Sequence, residues 1–292
     1  MSAVELPTQL NIDERFLGAR IAEGQGDREA LRLDTGSLTY GEVDDLVRRY
    51  GNAFRSLGVL PEQRVLVALR DGADYVGALF GILRIGAVAV MVNPDLPLEQ
   101  MRSMVERSRA ASAVVHADRV GLMEEAVAAA GWPTRLLVAG GEAEGHPALG
   151  DLDTSGPCER FPTHRDDPAI WLFSGGTTGL PKAVPQTHRS FANTTALYTA
   201  AVGYRPDDVT MAVPKLYFGY ATGANLFFPF SVGATSVLFP ERPTPDVLYD
   251  KIERHRPTIL VHVPSAINQM LGHPKADTAD LSSLRFVTSA GE

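Results

Sequence analysis

The order of apolar segments predicts an α/β fold: two parallel-sheet βαβ subdomains packed together. Three observations carry that expectation. Short apolar runs alternate with longer stretches of helical periodicity, which needs crossover connections and therefore parallel pairing. Glycine, proline and mixed charge interrupt the rhythm over 140–167. The chain has 292 residues, 45% of them hydrophobic, enough for one large or two modest domains with an ample core. The division drawn from this is 1–150, a linker at 151–168, and 169–292.

The elements follow in order. Thr39 with Glu42 three residues on forms a capping box, and Val43, Leu46, Val47, Tyr50, Phe54 and Leu57 recur at helical spacing. Gly58 then sits where a C-terminal cap belongs. Val65–Leu69 reads as a strand, Tyr75–Leu83 as a helix and Ala87–Val92 as a strand. A helix over Pro97–Arg107 follows, with strands at Ala113–Val115 and Leu136–Val138. After the break come strand Ala169–Phe173, a loop, a helix from about Arg189, and strand Thr210–Val213. Tyr217–Pro240 carries no formal charge. Three glycines, Pro229 and Asn225 interrupt it, so it reads as a buried helix turning at Ser231-Val232-Gly233 into a buried strand, not as a membrane span. Helix Pro245–Arg254, strand Ile259–Val263, helix Ser265–Leu271 and strand Leu284–Thr288 complete the pattern.

Composition narrows the function. Acidic residues number 35 and basic ones 27, a formal charge of −8, which disfavours a nucleic-acid partner because such binding needs a basic surface. The single Cys158 can form neither an internal disulfide nor a CxxC site and fits a reducing compartment. Met1–Asn11 lacks the basic start and apolar run of a secretory signal. The expectation is a cytoplasmic protein with no membrane partner.

The chemistry concentrates in Ser174-Gly175-Gly176-Thr177-Thr178-Gly179-Leu180-Pro181-Lys182. A buried strand delivers the chain into glycines whose backbone N–H groups can turn toward one anion. Ser174, Thr177 and Thr178 add hydroxyl donors, and Lys182, the first lysine in the chain, adds a compact positive charge suited to phosphate. A plain surface hairpin is the weaker reading, because the functional residue types arrive in order behind a strand. No Gly-Lys pair exists, which excludes a Walker A loop. Gly24-Gln25-Gly26 lacks the third glycine of a dinucleotide turn. Neither a GxSxG elbow nor an HExxH zinc pair occurs.

Ser-Gly-Gly-Thr-Thr-Gly-Leu-Pro-Lys resembles the phosphate loop of the adenylate-forming superfamily. Leu38-Thr39-Tyr40-Gly41-Glu42, Leu83-Arg84-Ile85-Gly86-Ala87 with Asn93-Pro94, and Ser289-Ala290-Gly291-Glu292 resemble other stretches of that family in order and spacing. Lys215-Leu216-Tyr217-Phe218-Gly219-Tyr220, Ser231-Val232-Gly233-Ala234-Thr235 and Glu241-Arg242-Pro243-Thr244-Pro245 are similar to benzoate–CoA ligases. The Gly-Gly of the loop and Pro185-Gln186-Thr187-His188 also resemble aryl-acid AMP ligases that load carrier proteins.

The resemblance implies the large N-terminal domain of that fold, incomplete at its C-terminus and lacking the mobile C-terminal domain. It implies substrates ATP, with Mg2+, an aromatic carboxylic acid and coenzyme A, with a carrier protein as the alternative acceptor. A non-catalytic ligand-binding remnant is the reading from another class. By resemblance, Ser174, Gly175, Gly176, Thr177, Thr178, Gly179 and Lys182 hold the nucleotide phosphates. Thr177 and Lys182 are then the catalytic pair, and Thr177 lies beside the metal. Gly291 and Glu292 face the nucleotide, while Gly219, Tyr220, Ala290 and Gly291 shape a flat slot for the aromatic ring. Tyr217 and Phe218 are expected in the core. His188 is expected to cap a helix or face solvent, and Lys215 and Asn225 to have local structural partners.

Overall fold

The computed structural model describes residues 4–174 and 182–291. In chain order its strands are β1 (Glu29–Leu33), β2 (Gly36–Thr39), β3 (Arg64–Ala68), β4 (Val88–Met91), β5 (Ser112–His116), β6 (Arg135–Ala139), β7 (Pro168–Ser174), β8 (Lys182–Thr187), β9 (Val209–Ala212), β10 (Thr235–Val237), β11 (Ile259–His262) and β12 (Phe286–Ser289). They form two six-stranded sheets, β6-β5-β3-β4-β7-β8 and β12-β11-β9-β10-β1-β2. Each is parallel apart from one antiparallel edge pair, β7–β8 in the first and β1–β2 in the second. The fold is therefore α/β as expected, with mixed and mostly parallel sheets.

The chain divides into two compact units, Met1–Gly18 with Val43–Asn193, and Ala19–Glu42 with Thr194–Glu292. This division differs from the boundaries at 150 and 169 read from composition. β7 pairs with β4, Ala89 opposite Ile170, so the strand leading into the glycine-rich loop belongs with the first sheet. β1 pairs with β10, Leu31 opposite Ser236, which places an early segment in the second unit. Backbone pairing between distant segments leaves no trace in local glycine and proline content.

In the first unit, one face of the sheet is covered by helices Leu98–Ser108 and Val120–Ala130. Leu66, Val90, Met101, Val105, Val115 and Leu136 are buried together there. The second of these helices was not legible in the sequence, since its Ala-rich run has weak periodicity. The helix Ala73–Arg84 is buried on every side from Tyr75 onward, which explains its lack of a polar stripe. It runs hard against the helix Tyr40–Ser56. A Cβ on Gly81 would stand 2.8 Å from the backbone nitrogen of Gly51 and 3.0 Å from the carbonyl oxygen of Val47. Neither atom can swing aside as a side chain would. Gly81→Ala should therefore destabilise by about 1–3 kcal/mol although alanine is the better helix former. Urea denaturation checks this, and a variant as stable as the parent would show that the two helices can part freely.

In the second unit, Met211, Phe239, Leu248, Ile252 and Leu260 share a core between the sheet and the helix Pro245–His255. The expected capping box is present. Thr39 Oγ1 accepts from Glu42 N at 3.2 Å, and Glu42 accepts from Thr39 N at 2.7 Å. The uncharged stretch folds as Gly219–Thr222, a π-turn at Gly223–Phe227 and Phe228–Val232, ended by Gly233 at φ 77° before β10. Among the described residues no helix is long and apolar enough to cross a membrane.

Candidate functional site

The glycine-rich loop is carried by an antiparallel pair in the first unit. Ala169 and Ile170 anchor β7 in the core, and the register sets Ser174 opposite Lys182. The strand entry expected from the sequence is present, and the returning strand β8, which the sequence reading left as loop, fixes both ends. Lys182 is exposed at the start of β8. Gly175, Gly176, Thr177, Thr178 and Gly179 lie outside the described residues, as does Glu292.

β8 leads directly into the helix His188–Val202. His188 is fully buried, which corrects the expectation of a capping or solvent-facing residue. Its Nδ1 accepts from the backbone N–H of Ile12 at 3.2 Å, and its Nε2 has no partner among the described residues. Burial pulls its pKa down to about 4, only partly opposed by Asp167, so the ring is neutral at pH 7.

In the second unit the predicted slot residues fall into two groups joined by one contact. Gly219 opens its helix with Tyr220 beside it, half buried, and the Tyr220 hydroxyl donates to Thr288 Oγ1 at 2.9 Å. Thr288 lies on the edge strand β12, which runs into Ala290 and Gly291. Ala290 N donates to His262 O at 3.3 Å, and Gly291 takes φ 72°. Tyr220, next to Gly219, thus meets the strand that runs into Ala290 and Gly291. Burial raises the Tyr220 pKa, so the phenol is a neutral aromatic face with its hydroxyl committed to Thr288. Thr288 was missed, because a threonine inside a short strand carries no sequence signal.

Neighbouring residues sort differently from expectation. Phe218, expected in the core, is 51% exposed at the mouth of this helix, while Tyr217 is half buried against it, ring centroids 4.6 Å apart. Asn225 is structural, as expected. It accepts from Thr210 Oγ1 at 2.7 Å and donates to Val237 O at 3.0 Å. It holds the π-turn to β9 and β10 by satisfying buried polar groups. Lys215 donates to Phe239 O at 2.6 Å and lies over the Phe239 ring.

Arg84, within the Leu-Arg-Ile-Gly-Ala stretch, is not a site residue. It is buried and donates to Asp13 at 3.0 and 3.2 Å and to Asp44, while Arg160 closes the cluster on Asp13 at 2.6 Å. No group of three or more His, Cys, Asp or Glu suited to a metal occurs among the described residues.

The chain is 35% identical to the benzoate–CoA ligase of Thauera aromatica over 292 residues, covering 99% of this chain and 55% of that one. It is 31% identical to a salicyl-AMP ligase / salicyl-S-ArCP synthetase of Mycobacterium tuberculosis, covering 88% of this chain and 46% of that one. Among solved structures it is similar to the anthranilate CoA ligase AuaEII in complex with anthranoyl-AMP, with a TM-score of 0.94 and 32% identity over 100% of this chain and 57% of that one. The chain spans about half the length of the curated relatives it matches. With the AMP-binding enzyme profile matching residues 19–292, the chain belongs to the AMP-binding enzyme family.

Proposed function

We propose that this chain supplies the nucleotide- and acid-binding part of an ATP-dependent aryl-acid–CoA ligase. In the first half-reaction the carboxylate of a benzoate-type acid attacks the α-phosphorus of ATP. Pyrophosphate leaves and an aryl adenylate forms. In the second, the thiol of coenzyme A, losing its proton, attacks the acyl carbon, and AMP leaves with the bonding electrons. Both steps bring anions together, so donors held in place around the phosphates do most of the work.

Ser174, Gly175, Gly176, Thr177, Thr178, Gly179 and Lys182 are assigned to the phosphates, with Thr177 also beside the Mg2+ that accompanies ATP. Gly291 and Glu292 are assigned to the nucleotide, and Gly219, Tyr220, Ala290 and Gly291 to the ring. The observation that supports the aryl reading is the Tyr220–Thr288 hydrogen bond, which ties the helix opened by Gly219 to the strand that runs into Ala290 and Gly291. The use of ATP and coenzyme A as substrates supports a cytoplasmic setting for the reaction.

Calorimetry with a non-hydrolysable benzoyl-AMP mimic, against a long-chain fatty acyl-AMP mimic, tests this. The benzoyl compound should bind at least about tenfold more tightly, a difference of about 1.4 kcal/mol, and Tyr220→Ala should erase the preference. Equal binding of the two compounds, or a Tyr220→Ala variant that keeps the preference, would sink the aryl slot. The second reading, transfer to a carrier protein, draws support from the salicyl-AMP ligase relative. Thioester formation on a carrier protein but not on coenzyme A would favour it.

A further inference from the structure

Three arginines lie where strands of the first sheet begin and line one cavity. Arg64 opens β3, Arg135 opens β6, and Arg109 ends the helix Leu98–Ser108 just before β5. With Trp132, Val127 and Thr134 they line a cavity of about 460 Å3, within the range of small-molecule sites. This is the end of the sheet opposite to the one where β7 enters the glycine-rich loop, because β3, β4, β5, β6 and β7 all run the same way.

The lining contains no carboxylate, in a chain whose net charge is −8. Arg64 donates to the carbonyl of Ser108 and lies over the Trp171 ring at 5.4 Å, and Arg135 donates to the carbonyl of Leu57 at 2.8 Å, so neither meets a carboxylate there. Arg109 lies over the Trp132 ring at 5.9 Å, and Trp132 is 38% exposed. Each guanidinium has five donors, so most remain for a ligand.

The second unit provides an internal control. Arg256 occupies the position equivalent to Arg109, a left-handed residue closing a helix ahead of a strand, with φ 51° against 47°. Arg256 is neutralised by Asp280, and Arg285, just before β12, by Asp208 at 2.6 Å. The left-handed backbone, which favours glycine, is thus offset at Arg256 by an ion pair. Among the described residues Arg109 has no such pair. One unit pairs these arginines with carboxylates, and the other leaves three arginines lining a cavity that has no carboxylate.

We infer that this cavity binds an aromatic phosphate, either an aryl phosphomonoester or a nucleotide. The guanidinium fork matches phosphate oxygens two at a time, and three cations suit a dianion better than a single carboxylate. The exposed indole offers a stacking face for a ring. The inference does not rest on the ligase reading.

Phenyl phosphate is the probe, followed by calorimetry and by emission from Trp132 and Trp171, the only tryptophans in the chain. It should bind the wild-type chain and alter that emission. Arg109→Gly suits the left-handed backbone and keeps the fold, so it should weaken binding about tenfold with no loss of thermal stability, as should Arg135→Gln. Lys182→Ala should leave the affinity for phenyl phosphate unchanged, and benzoate should bind at least about tenfold more weakly than phenyl phosphate. AMP that displaces phenyl phosphate in the Lys182→Ala variant would identify a nucleotide as the occupant, and AMP that does not would leave the aryl phosphomonoester. No binding of phenyl phosphate, binding abolished by Lys182→Ala, or wild-type affinity in both arginine variants would overturn the assignment.

Discussion

Asp13→Ala should destabilise the chain by about 3–5 kcal/mol, a large share of the stability of an ordinary domain. Asp13 is completely buried, and Arg84, its main partner, is 2% exposed. Burial alone would lower the pKa of Arg84, but the attraction and hydrogen bonds of Asp13, and then of Asp44, outweigh it and raise the pKa. Removing Asp13 leaves a buried guanidinium with Asp44 as its remaining carboxylate, and Arg160 loses its 2.6 Å partner. The cost comes from the orphaned charge and not from the worth of the pair, so Asp13→Asn, which keeps an acceptor, should cost less. Urea denaturation of the three proteins decides the matter. A loss below about 1 kcal/mol for Asp13→Ala would mean that water or Asp44 replaces Asp13 outright.

Acidification from pH 7 to pH 5 should cost the wild type about 2 kcal/mol more than it costs His188→Gln. The ring titrates near 6.5 when unfolded and near 4 when folded. Between those values the unfolded chain binds more protons, so stability falls as pH falls, and the loss levels off below about pH 4. Above about pH 6.5 both states are neutral and the variants should differ little in slope. Burial also lowers His116 and His262, but these are present in both proteins and cancel in the comparison. Parallel stability–pH curves for wild type and His188→Gln would remove His188 from the account.

The readable elements were those in which one local rule acted alone. The helix Tyr40–Ser56 announced itself through its capping box and apolar stripe, and Gly58 stands at φ 74° where its cap was expected. Strands β3, β4 and β11 are short apolar runs, apart from Arg64 at the start of β3 and His262 at the end of β11, and are buried at nearly every position. The hairpin β1–β2 escaped because its residues alternate weakly and its second strand is largely exposed. β8 escaped because Pro185 and polar residues mask a strand that needs a single partner, being the last of its sheet.

Of the candidate site, Tyr220 and the Ala290–Gly291 turn are proposed from the sequence, since residue type and motif order survive in one dimension. Phe218 could not be placed, because the same aromatic suits a core or a mouth, and its exposure depends on where the helix starts. The sequence by itself determined the α/β class and the positions of most helices and strands, and it supplied the residue types on which the proposed phosphate role of the Ser174–Lys182 segment rests. Those depend on periodicity, capping and side-chain type within a few residues. The tertiary structure decided which strands pair, that Arg84 is buried on Asp13, that His188 is buried and neutral, that Thr288 holds Tyr220, and that three arginines share a cavity without a carboxylate. Each joins residues far apart in the chain or depends on burial, and the free energy of such a contact exists only once folding has brought the partners together and removed the water between them.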